Sequence, residues 1–97
     1  MQHLNAVLLA KSKEFRDDGS IVEVVIWGLP QPLHPCLHRY KYRLFYGTRE
    51  ECRVRYDNER GKGDHRHFGV IEQPYEFSSV ARLLDDFEHD IARWESM

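Results

Sequence analysis

The sequence predicts an α+β domain: a small antiparallel sheet of about four strands, in two hairpins, packed by one C-terminal amphipathic helix. Two observations carry this. Strand-like runs between Ala6 and Tyr56 come in pairs separated by turn residues, and helical apolar spacing is confined to the last segment. The order β-β, β-β, polar loop, α fits an antiparallel sheet closed on one side by a helix.

The elements follow in order. Ala6 to Phe15 is apolar and then alternates, and Asp17-Asp18-Gly19-Ser20 is a hairpin-turn signal because glycine accepts positive φ without steric cost. Ile21 to Trp27 (IVEVVIW) is rich in β-branched residues and reads as a strand buried on much of both faces. Pro30, Pro32 and Pro35 make Gly28 to Pro35 a connecting loop, since proline fixes φ and removes an amide donor. Arg39 to Tyr46 alternates, with Tyr40, Tyr42, Leu44 and Tyr46 on one side and Arg39, Lys41, Arg43 and Phe45 on the other. Gly47 to Glu51 turns the chain, and Cys52, Val54 and Tyr56 alternate with Arg53, Arg55 and Asp57 in the return strand. The second hairpin therefore carries Arg39, Lys41, Arg43, Arg53 and Arg55 on a solvated basic face and packs its tyrosine-rich face inward.

A polar loop is expected from Tyr56 to His67, then a short bridge from Val70 to Phe77 containing Pro74. Ser78 and Ser79 are natural N-caps. Val80, Leu83, Leu84, Phe87, Ile91 and Trp94 fall at helical spacing, with Leu84 and Phe87 at the centre of the stripe and Asp85, Asp86, Glu88 and Asp90 off it.

A chain of 97 residues makes one domain, spanning residues 1–97. With 41% hydrophobic and 31% charged residues it is too apolar for a disordered chain. No apolar run is long enough to span a membrane, and the N-terminus lacks the features of a signal peptide. The two cysteines, Cys36 and Cys52, are then expected as reduced thiols, and the expected compartment is the cytoplasm. A net charge of −2 speaks against generic nucleic-acid binding, but the charges are unevenly placed. Nine cations lie between His34 and His67, whereas from Glu72 onward seven acids face Arg82 and Arg93 alone. This implies a basic working face and an acidic back, unless the halves neutralise each other on folding.

The run YDNERGKGDHRH (Tyr56 to His67) concentrates the chemistry. Ordering long polar side chains costs up to roughly 2 kcal/mol each in rotamer freedom, so stability alone does not explain such a run. His65 and His67 are one residue apart, which in an extended chain puts both imidazoles on one side, about 6–7 Å apart at the backbone. The pair suits general acid–base catalysis, metal ligation completed by Asp64 or Asp57, or simple solvation. H-x-H without a nearby C-x-x-C is a weak metal signal, so no metal and no cofactor are expected. Arg60, Lys62 and Arg66 surround the histidines and suit phosphate, while Gly61 and Gly63 allow close backbone approach. G-K-G is not a phosphate-binding P-loop, because the earlier glycine and the following hydroxyl are both missing. The candidate catalytic residues are His65, His67, Lys62 and Arg60; the candidate nucleic-acid contacts are Arg39, Lys41, Arg43, Arg53, Arg55 and Arg66. Histidines, cations and a stacking platform of tyrosines suit metal-free cleavage of single-stranded RNA.

Three segments, GSIVEVVIW (Gly19 to Trp27), HRYKYRLFY (His38 to Tyr46) and YDNERGKGDHRHFG (Tyr56 to Gly69), together with EQPYEF (Glu72 to Phe77), resemble the TumE-like family of bacterial toxin components. The resemblance implies a small cytoplasmic protein paired with an antitoxin, typically a helix-turn-helix DNA-binding protein, and toxicity through RNA. It assigns no catalytic residue. The leading expectation is a metal-independent ribonuclease toxin. The alternatives are a non-enzymatic module binding nucleic acid or protein through its basic sheet face, and a metal- or nucleotide-dependent transferase. The expected partners are the antitoxin and RNA, with no membrane; a homo-oligomer stays open.

Overall fold

The computed structural model describes residues 5–97, which form six strands and one helix. In chain order these are β1 (Val7–Phe15), β2 (Ile21–Gly28), β3 (Tyr40–Gly47), β4 (Cys52–Glu59), β5 (Gly63–Phe68), β6 (Ile71–Pro74) and α1 (Val80–Glu95). The strands make one antiparallel meander in which each pairs with its sequence neighbour, from β1 at one edge to β6 at the other. The α+β class and the closing helix stand as read from the sequence. The strand count is corrected from about four to six.

Both added strands come from sequence read as loop and bridge. The polar run does not leave the sheet at Tyr56. It continues β4 to Glu59, turns through Arg60-Gly61-Lys62, and returns as β5 with His67 opposite Arg55 and His65 opposite Asp57. Gly61 and Gly63 supply the positive φ of the turn, 84° and 80°. The run escaped recognition because its inward side chains are charged. They are satisfied by ion pairs rather than by apolar packing, so no alternation of hydrophobicity marks the strand.

The two earlier hairpins form where turn chemistry dictates. Gly19 adopts φ 87° and donates its amide to the Arg16 carbonyl at 3.0 Å, while Asp18 accepts from the Ser20 amide and hydroxyl. At Gly47 any Cβ would collide with the Glu51 carbonyl, so only glycine closes the β3–β4 turn.

Helix α1 covers one face of the sheet. Ser79 caps it, its hydroxyl accepting from the Arg82 amide at 3.1 Å. Leu83, Phe87 and Ile91 are buried against Ile26, Tyr42, Leu44, Tyr46, Val54 and Tyr56. Burying each of these large side chains is worth about 1.5–3 kcal/mol, which fixes the helix to this face. The centre of the stripe lies one residue earlier than the spacing indicated: Leu83 is wholly buried and Leu84 only partly. Asp90, expected off the apolar face, is buried as well, at 2% exposure, because a cation from the sheet meets it. Edge strand β1 leaves Val7, Leu8, Leu9 and Phe15 exposed. No helix among the described residues is long and apolar enough to cross a membrane.

Candidate functional site

Among the described residues nothing covers the face of the sheet opposite α1, and strand alternation decides what stands on it. Partners across the sheet point the same way, so Trp27 and Lys41, Val25 and Arg43, Glu23 and Phe45 share the open face, followed by Arg55, Asp57, His65, His67 and Glu72. The motif Asp64-His65-Arg66-His67 is thus divided. His65 and His67 point to the open face, and Asp64 and Arg66 point to the helix side, where their carboxylate and guanidinium find partners.

On the open face, Arg55, Asp57, Glu59, Lys62, His65, His67 and Glu72 line one small polar cleft. The hydrogen bonds fix both imidazoles. His65 Nδ1 lies 3.1 Å from the Gly63 carbonyl. A carbonyl only accepts, so Nδ1–H donates and Nε2 is left with a free lone pair. Arg55 Nη2 lies 2.9 Å from His67 Nε2. An arginine only donates, so here the imidazole accepts. Glu72 Oε2 stands 3.6 Å from the same Nε2. Arg55 Nε is 3.2 Å from Asp57 Oδ2 but off the hydrogen-bonding direction, and this buried N–H has no acceptor among the described residues. Lys62 reaches Glu59 at 3.6 Å from the exposed β4–β5 turn, a contact too solvated to hold it in place.

The sequence-predicted residues therefore do not all stand together. His65, His67 and Lys62 come together in the cleft, and Arg55, expected as a nucleic-acid contact, joins them between the histidine and Asp57. Arg60 is exposed on the turn and does not line the cleft. Lys41 and Arg43 stand on the open face beside Trp27 in a shallow groove of about 280 Å³, and Arg39 is exposed just ahead of β3. Arg53 lies at an irregularity of the β3–β4 pairing and places its guanidinium over the ring of core-facing Tyr46, 5.5 Å from the centroid. Arg66 grips Asp90 on the helix side.

The tyrosines do not form a stacking platform. Tyr42, Tyr46 and Tyr56 are buried under the helix, and burial followed by a carboxylate hydrogen bond pushes the Tyr42 and Tyr56 hydroxyls far above the ordinary range. The aromatic surface of the open face is supplied by Trp27, Phe45 and Phe15 instead, the last two with Arg43 and Lys13 over their rings. Sequence reading missed this exchange, although strict alternation of Phe45 against the tyrosines already contained it. It also missed Glu72, which reaches His67 only because residues 71–74 form a strand.

Comparison with curated proteins and with solved structures returns no match. A family model does match, and it spans both the open-face cleft and the helix that backs it. Over residues 5–95 the chain matches the model of toxin TumE, and it belongs to that family.

Proposed function

We propose that this toxin cleaves single-stranded RNA on the open sheet face by proton transfer between two histidines, without a metal. The family supplies the toxin role and an antitoxin partner. What carries the catalytic reading is the tautomer of His65: its Nδ1–H is tied to the Gly63 carbonyl, which leaves Nε2 as a base in a cleft that also holds His67, Arg55 and Lys62. In the proposed step, His65 Nε2 takes the proton of a ribose 2′-hydroxyl. The 2′-oxygen bonds to phosphorus, and the bond to the 5′-oxygen of the next nucleotide breaks. Arg55 leaves His67 Nε2 for the phosphorane, whose charge it offsets together with Lys62, and His67, protonated at the freed Nε2, gives that proton to the leaving oxygen. Products would be a 2′,3′-cyclic phosphate and a 5′-hydroxyl. Lys41, Arg43, Trp27 and Phe45 extend the face as a track of cations and rings, as single-stranded RNA needs. That track favours a second reading, a module that binds RNA without cutting it. We expect the antitoxin to be a DNA-binding protein of helix-turn-helix type, as the resemblance implies.

Induction in bacteria with and without the antitoxin, following growth and RNA integrity, tests the reading. The parent should arrest growth and fragment RNA with cyclic-phosphate ends. A His65→Ala, His67→Ala protein of equal abundance should do neither. Growth arrest with intact RNA would favour the binding module.

A further inference from the structure

On the helix side, the β2–β3 loop brings a cysteine and a histidine against the first inward residue of β5. Cys36 Sγ donates to Asp64 Oδ1 at 3.2 Å, and His38 Nε2 lies 2.7 Å from Asp64 Oδ2. All three potential ligand atoms lie within 4.8 Å of one another. Donors around a tetrahedral zinc stand roughly 3.3–3.8 Å apart, given bond lengths of about 2.0–2.3 Å, so closing on an ion needs only small side-chain rotations. We propose that Cys36, His38 and Asp64 form a binding site for a divalent transition metal of the zinc class, with its fourth position open to the adjoining cleft.

Several independent features support the assignment. Thiolate, imidazole and carboxylate together select zinc-like ions over magnesium or calcium, which take oxygen ligands. Neighbouring side chains hold each position, and Asp64 and Cys36 receive donors as metal ligands usually do. The His38 ring stacks on Phe77 at 3.9 Å, Asp64 Oδ2 accepts from the Tyr42 hydroxyl at 2.6 Å, and Asn58 Nδ2 approaches the Cys36 sulfur at 3.7 Å. The cleft beside them, about 460 Å³, is lined by these ligands with Phe77 and Ser78 and has room for a water or a small anion as fourth ligand. Binding would replace the Cys36 proton, break the Cys36–Asp64 and His38–Asp64 hydrogen bonds and, by moving the His38 proton to Nδ1, release the Tyr40 amide, so that three hydrogen bonds are exchanged for three metal–ligand bonds. A purely structural network would not need a sulfur and an imidazole at the mouth of a cleft. The site lies across the sheet from the His65–His67 cleft and stands independently of the ribonuclease reading.

Titration of the purified, reduced full chain with Co²⁺ tests it directly. The expected result is one equivalent bound, with tetrahedral visible bands and a thiolate-to-cobalt charge-transfer band. Both should be displaced by Zn²⁺, and Zn²⁺ should raise the melting temperature of the parent. Cys36→Ser and His38→Gln should abolish the charge-transfer band, whereas Cys52→Ser and His65→Ala should retain it. Absence of a thiolate band in the folded parent overturns the proposal, as does a band that survives Cys36→Ser or disappears with Cys52→Ser. Should Cys36→Ser fail to fold, His38→Gln and the parent's own titration decide the question, since His38 sits at the cleft wall rather than in the core.

Discussion

Arg66 holds Asp90 through two hydrogen bonds of 2.8 Å, from Nε and Nη2 to the two carboxylate oxygens. The fork joins the middle of the D-H-R-H motif to the middle of the helix, and the Tyr56 hydroxyl completes the carboxylate at 2.6 Å. Removing the cation would leave a buried charge without its partner. Arg66→Ala should therefore cost about 3–5 kcal/mol, and Arg66→Lys should recover only part of it because lysine lacks the planar fork. Urea denaturation of the three proteins checks this; an Arg66→Ala protein as stable as the parent would show that the fork does not anchor the helix.

This pair also explains what the sequence could and could not disclose. Turns at Gly19 and Gly47, the alternation of Tyr40 to Tyr46 and the apolar stripe of α1 are local signals, and each formed where it was read. Helical spacing puts Asp90 off the apolar face, and nothing local signals its burial, because its partner lies 24 residues away on a strand with no apolar alternation. The same blindness hid β5 and with it the split of the motif between two faces. His65 and His67 were legible as a pair because their spacing alone sets them on one side. Cys36 and His38 were not, since only the fold brings Asp64 to them, 28 and 26 residues on.

If RNA lies on the open face as proposed, the placement of the cations decides which of them it would feel. Lys41 and Arg43 stand on the open face, so changing either to alanine should reduce the slope of log K against log salt by about 0.7 for single-stranded RNA. Arg66, committed to Asp90, and Arg53, laid over Tyr46, should leave the slope close to that of the parent. Filter-binding or fluorescence titrations at several salt concentrations measure it. Equal slopes for parent and Arg43→Ala would remove this face from RNA binding.

Alkaline pH should loosen the helix from the sheet. Burial, then the hydrogen bond to Asp90, raises the Tyr56 hydroxyl from its ordinary 10.0. The sign follows from linkage. Below about pH 10 the hydroxyl is protonated folded and unfolded alike, and its contribution is fully present; above that, only the unfolded chain ionises freely, and stability is lost as pH rises. Urea midpoints at about pH 8 and about pH 10.5 should fall more steeply for the parent than for Tyr56→Phe, which has no proton to lose. Identical falls would mean that this hydroxyl is not held from ionising.

The central claim is that His65 moves a proton in RNA cleavage. Its side chain is half-buried on a solvated face and bonded only to the Gly63 carbonyl, so alanine there should leave the melting temperature near that of the parent. The decisive measurement is the cleavage rate of a single-stranded RNA by purified His65→Ala beside the parent, at matched concentration and confirmed fold. The expected result is a fall of roughly 10²–10⁴-fold for the variant. A folded His65→Ala protein that cuts at the parental rate would contradict it.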